Sequence, residues 1–228
     1  MSIIQLQISQ KEFNAFLAQR KHVLPDYEMN KWELFDYVKR NPENTTQEIV
    51  DHKVYLLNKF SSTRVPRKDM VDTILRIKNI DKRLKAGDPE LVHEIANSSK
   101  SYYSFATKYC ALHQPDKYPI FDNLVWNFLT YLGKQKFFDD STHNLFNTIK
   151  TSTNGYRNYI KIYDEFILKS GVKPFFKSYD NVDYYVWGYI QIYIRYHKCY
   201  DKANELFPDI FKGIISCAIW EIIKNLFV

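Results

Sequence analysis

Start and stop signals for α-helices recur from one end of this chain to the other, and they leave little room for any other fold. Ser9-x-x-Glu12 forms a capping box that opens a helix to about Arg20, with Phe13, Phe16 and Leu17 at helical spacing. Pro25 and Asp26 open a second helix to about Lys39, with Trp32, Phe35 and Val38 expected on one face and Pro42 as its stop. Thr45-x-x-Glu48 is a second capping box, leading into Ile49, Val50, Leu56, Leu57 and Phe60. From Pro66 a single basic helix is expected, with Met70, Ile74, Ile77, Ile80 and Leu84 as its buried stripe and Gly87 as its terminator. Asp88-Pro89 begins the next helix.

The second half repeats the pattern. A helix through Phe105, Ala106, Tyr109, Cys110 and Leu112 ends at Gln114-Pro115-Asp116. Tyr118-Pro119-Ile120-Phe121-Asp122 should run extended, because a residue before proline avoids the α region. Asp122 then caps a helix closing at Gly133, and Ser141 caps a short one holding Leu145, Phe146 and Ile149. A turn is expected at 151–155, followed by a helix carrying Tyr159, Ile162, Tyr163, Phe166 and Ile167 up to Gly171. Asp180-x-x-Asp183 opens an aromatic helix with Trp187, Ile190, Ile194 and His197. Pro208 starts the last helix, apolar through Phe211, Ile214, Ile215, Ile219, Ile222 and Ile223. Only the first eight residues, with Ile3, Ile4, Leu6 and Ile8, lack a helical signature. The expectation is one all-α domain over 1–228, a compact bundle of about ten helices with a subdomain seam near 97–101.

With 6 glycines in 228 residues and no GxGxxG or GxxxxGK[ST] run, a phosphate-cradling nucleotide loop has no support. There is no GxSxG elbow and no HExxH pair. Cys110-x-x-His113 and Asp140-x-x-His143 each place two potential ligands on one helix face, but a metal needs more, so no metal or other cofactor is expected. Three widely spaced cysteines, Cys110, Cys199 and Cys217, fit reduced thiols in a cytoplasmic protein. No secretory leader is recognisable. Lys212, Glu221 and Lys224 interrupt the last helix, so a membrane span is not expected; a core helix or a homodimer contact is.

Net charge is +6, and most of the excess lies in one stretch. Arg64, Arg67, Lys68, Arg76, Lys78, Lys82, Arg83 and Lys85 stand there against Asp69, Asp72 and Asp81. Such a concentration is the footprint of a DNA or other polyanion binder.

Residues 104–126 pair a helix containing Ala106 with a proline-bearing extended segment and an Asp, Asp122, heading the apolar run Leu124-Val125-Trp126. This resembles the second half of the helix-hairpin-helix core of DNA glycosylases. The resemblance implies a glycosylase-like fold in the middle of the chain, a catalytic carboxylate at Asp122, and DNA as partner. A nucleic-acid-binding protein of this kind would use Asp122 in a cleft lined by Tyr102, Tyr103 or Trp126, with Arg76, Lys78, Lys82, Arg83, Lys85 and Lys108 expected to contact phosphate. The family's lysine position falls on Ser104, so a lyase-type Schiff base there is excluded. The family's glycine-rich hairpin is replaced by Ser98-Ser99-Lys100-Ser101-Tyr102-Tyr103. Together with Asp183-x-x-x-Trp187, the same stretch also resembles uncharacterised all-helical bacterial proteins, a likeness that implies a fold and no activity. The alternative to a nucleic-acid-binding protein is a non-enzymatic interaction protein.

Overall fold

The computed structural model describes residues 6–23, 25–61, 63–96, 102–149, 154–196 and 218–226. Among them are 12 α-helices and no strand. They are α1 (Gln10–Val23), α2 (Pro25–Arg40), α3 (Gln47–Ser61), α4 (Arg67–Arg76), α5 (Ile80–Ala86) and α6 (Glu90–Ile95). There follow α7 (Tyr103–His113), α8 (Asn123–Lys134), α9 (Asp140–His143), α10 (Gly155–Lys169), α11 (Tyr179–Tyr196) and α12 (Ala218–Leu226). The chain is an all-α helical bundle protein, and it divides into two compact units. One holds Met1–Pro25, Asp122–Phe146 and Lys161–Val228; the other holds Asp26–Phe121 and Asn147–Ile160. The seam expected at 97–101 and the turn residues 151–153 lie outside the described residues.

Local signals behave largely as their chemistry requires. Ser9 Oγ accepts the Glu12 amide at 3.2 Å, but the Glu12 carboxylate takes the Tyr185 hydroxyl at 2.6 Å instead of closing the box. In α3 the capping hydroxyl is that of Thr46, one residue later than expected, accepting from the Ile49 amide at 3.3 Å. Gly87 is left-handed (φ 74°), and the Asp88 amide bonds back to the Arg83 carbonyl at 3.1 Å, the wrap that closes a helix C-terminus. The short helix after α8 starts at Asp140, so Ser141 lies inside it.

The expected single basic helix is two helices. Ile77 is extended, and Asn79 is left-handed (φ 54°), a conformation its short polar side chain tolerates. Met70, Ile74, Ile80 and Leu84 are still buried, so the apolar stripe survives the break, with Ile77 half-buried at the joint. Trp32 also departs from expectation. The buried residues of its helix are Leu34 and Val38, and Trp32 is 69% exposed.

In the first unit α1 packs on α11. Phe16 stacks on Tyr189 with ring centroids 4.4 Å apart, over Gly188, where a Cβ would stand 2.7 Å from the Phe16 ring. A glycine inside a helix is accepted here because it lets an aromatic ring approach the backbone. The α12 residues Ile219, Ile222 and Ile223 are buried, and this helix packs on α8 and α11 of the same chain. Phe211, Ile214 and Ile215, expected to continue that face, lie outside the described residues, as does His197.

In the second unit the extended segment between α7 and α8 would leave backbone polar groups unsatisfied, and two tyrosines of α10 meet them. Tyr156 donates to the Pro119 carbonyl at 2.8 Å and Tyr159 to the Ile120 carbonyl at 2.7 Å. The Phe121 amide donates to Thr107 Oγ1 at 3.0 Å.

Candidate functional site

Asp122 caps α8. Its Oδ1 accepts the Leu124 amide at 2.8 Å, from an extended backbone (φ −113°, ψ 140°), the usual geometry of a capping Asp. The carboxylate therefore sits at the positive end of α8, half-buried. Trp126, one turn on, stacks against Phe146 at 5.3 Å. Both residues belong to the first unit; the basic stretch, Tyr102, Tyr103 and Lys108 belong to the second.

The second unit sorts the eight cations of the basic stretch. Arg67 forms two hydrogen bonds to the Asp51 carboxylate, and Lys68 pairs with Asp72 at 3.0 Å. Arg83 is held on both sides, by Asp88 at 2.7 Å and by a two-pronged contact to Glu94 at 2.6 and 2.8 Å. These acids raise its pKa and draw the Glu94 carboxyl below its usual range. Lys85 faces Glu43 at 3.8 Å. Arg64, Arg76, Lys78 and Lys82 form no ion pair among the described residues. Lys108 is half-buried on α7.

Three of the sequence-derived residues come together. Arg76, Lys78 and Arg83 line a groove of about 690 Å³ with Thr73, His93 and Glu94. Its acids are already neutralised within the protein, Glu94 by Arg83 and Glu90 by Arg157 at 2.8 Å. His93 accepts the Tyr156 amide on Nε2 at 3.4 Å, and burial lowers its pKa against the opposing pull of Glu90. This leaves Arg76 and Lys78 as the cations of the groove with no carboxylate paired to them among the described residues. Lys82 and Lys85 are absent from its lining.

A buried polar cluster is absent from the sequence reading. Lys53 is fully buried, and its ammonium donates to the Glu43 carbonyl and to Asn44 Oδ1, both at 2.9 Å. Tyr109 donates to the same Asn44 oxygen at 2.6 Å. Asn44 Nδ2 donates to Asp81 Oδ1 at 2.7 Å, and the Asn44 amide bonds to both carboxylate oxygens. One asparagine thus bridges a buried cation and an anion. Burial pushes the Lys53 pKa down to about 8, with Asp81 and Glu43 opposing. On the next turn of α7 His113 lies against the Tyr109 ring at 5.2 Å. Burial, helped by the Lys53 charge, pushes His113 down to about 3, so its ring is neutral near pH 7. The sequence did carry a trace of this cluster: Lys53 sits in the apolar stripe Val50, Val54, Leu57 of α3, where a solvated lysine has no place.

Cys110 is fully buried, and burial raises its thiol pKa, the wrong direction for a thiolate ligand. No group of three or more His, Cys, Asp or Glu residues placed to hold a metal occurs among the described residues. No helix among them is long and apolar enough to cross a membrane.

The fold and its grooves define an all-α protein whose second unit carries a groove lined by Arg76, Lys78 and Arg83 and a buried charge network around Asn44. Residues 7–117, which include the larger segment of that unit up to Lys117 but not 147–160, match the model of a family described as HI_0787_N, N-terminal domain. The chain is also 43% identical over 90 residues to an uncharacterized protein of Haemophilus influenzae (strain ATCC 51907 / DSM 11121 / KW20 / Rd). That similarity covers 37% of this chain and 42% of the relative, so less than half of the relative's length is matched. No solved structure matches the chain.

Proposed function

We propose that this protein binds nucleic acid, with Arg76 and Lys78 as phosphate contacts in the groove they share with His93. The observation that carries this reading is the sorting of charge. Arg67, Lys68, Arg83 and Lys85 face carboxylates of the protein itself, whereas Arg76 and Lys78 face a groove whose acids are already matched. A phosphate backbone supplies the missing anions, and releasing its counterions favours binding. Arg83 orients Glu94 and Asp88; it is a support for this groove more than a contact in it.

The expected result is DNA affinity that falls steeply with salt, with a log–log slope that becomes shallower by about 2 in the Arg76→Ala, Lys78→Ala double variant. Fluorescence anisotropy across a salt series measures it. Binding that ignores salt, or a double variant with an unchanged slope, removes the reading.

We read Asp122 as a cap and not as a reacting group, supported by its bond to the Leu124 amide. Asparagine caps about as well as aspartate, so Asp122→Asn should keep both stability and DNA affinity, while Asp122→Ala should lose about 1 kcal/mol in chemical denaturation. The competing reading keeps a glycosylase-like core around residues 104–126. It draws support from the carboxylate's place at a helix start, from which it can steady a developing oxocarbenium ion. Base excision from a panel of damaged duplexes by the native protein, abolished in Asp122→Asn, would put that reading in place of ours.

A further inference from the structure

A second groove, of about 580 Å³, lies between the C-terminal half of α2, α5 and the end of α7. Its walls are mostly apolar, with Phe35, Val38, Leu84 and Leu112 among them, and its volume suits a small organic ligand. Two features are unusual. Trp32, on its lining, is 69% exposed, although tryptophan is the side chain that gains most from burial. And His113, also on its lining, has a buried Nε2 with no hydrogen-bond partner among the described residues. The other ring nitrogen is engaged, because His113 bonds to the Pro42 carbonyl, which can only accept. Nε2 of this neutral ring is therefore an acceptor, and a buried acceptor left unmatched costs about 1–3 kcal/mol. Asp36, paired with Arg40, and Asp81, bonded to Asn44, add carboxylate oxygens that can accept a further bond; Lys39 and Lys85 add two cations, Lys85 touching Glu43 only at 3.8 Å, beyond hydrogen-bond length.

We propose that this groove binds a nucleobase that carries an exocyclic amino group, stacked on Trp32, with its N–H donors directed to His113 Nε2 and Asp81 and an attached phosphate toward Lys39 and Lys85. The acceptors demand a donor-bearing ligand, the exposed indole a planar one, and the two lysines an anionic appendage. The base belongs either to a free nucleotide or to an unpaired position in a single strand; the chemistry is shared. This site is separate from the Arg76–Lys78 groove, and its test needs no polyanion.

The test titrates the full-length protein with adenosine, cytidine, uridine and AMP, following tryptophan emission and, in parallel, calorimetric heat. Adenosine and cytidine should bind, uridine about tenfold or more weakly for want of the amino donor. AMP should exceed adenosine at low salt, and that advantage should vanish in the Lys39→Ala, Lys85→Ala variant. Trp32→Ala, at an exposed position, should leave the melting temperature unchanged and weaken adenosine about tenfold. His113→Phe, which keeps a ring against Tyr109, should abolish the preference for adenosine over uridine. A short oligoadenylate measured beside AMP identifies the source, whichever binds more tightly. No binding of any of these ligands, equal binding of uridine and adenosine, or an unchanged affinity in Trp32→Ala overturns the proposal. Nucleoside binding that survives Arg76→Ala, Lys78→Ala while duplex binding is lost shows the two sites to be distinct.

Discussion

Asn44→Ala should destabilise this protein by about 3–5 kcal/mol, although the side chain removed is small and polar. The cost arises from what is left behind. The Asn44 side chain accepts from Lys53 and Tyr109 and donates to Asp81, and all three lie in one buried cluster. Without the amide, the Lys53 ammonium keeps only the Glu43 carbonyl among these partners, and the Tyr109 hydroxyl loses its acceptor inside the core. A buried charge deprived of its partners is far more expensive than a buried pair is favourable. Tyr109→Phe, which removes one hydroxyl and leaves the ring, should cost only about 1 kcal/mol, and Lys53→Met should be milder than Asn44→Ala because it takes the charge away with the bond. Urea denaturation of the three variants gives the order. If Asn44→Ala loses less than Lys53→Met, the asparagine is not the bridge described here.

Acidification should weaken the fold well before the carboxylates titrate. His113 is held down to about 3, while in the unfolded chain it titrates near the ordinary value of 6.5. Below pH 6.5 the unfolded state binds a proton that the folded state refuses, so stability falls as pH falls. The contribution is complete above 6.5 and is lost progressively down to about 3. By pH 4.5 the loss should reach about 2–3 kcal/mol. His93, lowered by its own burial, acts in the same direction, whereas Glu94 and Glu48, lowered from 4.5, add their losses only at lower pH. The window between 6.5 and 4.5 therefore isolates the histidines. His113→Phe should flatten most of the slope in that window, measured as denaturation midpoints at a series of pH values. A native profile that is level from pH 7 to 4.5 would show that His113 titrates normally in the fold.

Much of the fold was legible because helix boundaries are local events. A capping oxygen reaches an amide two or three residues ahead, as Asp122 does for Leu124 and Ser9 for Glu12. Gly87 closes α5 because the left-handed turn there penalises a Cβ. Where two adjacent residues offered the same chemistry, the boundary slipped by one, as with Thr46 in place of Thr45. The break at Asn79 went unseen because the apolar stripe runs through it uninterrupted, from Met70 to Leu84. Periodicity reports which side of a segment is buried, and two short helices can share one buried side.

The candidate site was legible only as a quantity of charge. Eight basic residues in one stretch are visible in the chain, but which of them remain available depends on Asp51 and Glu94, brought in from other helices, and on Glu43, from the loop before α3. Helix type, most helix ends, the cap at Asp122 and most of the apolar faces follow from the sequence itself, since neighbours within a turn or two decide them; the break at Asn79 and the exposure of Trp32 do not. The availability of Arg76 and Lys78, the neutrality of His113 and the burial of Lys53 were settled by the tertiary structure, because a charge takes its energy from whatever lies within a few ångströms, however distant along the chain.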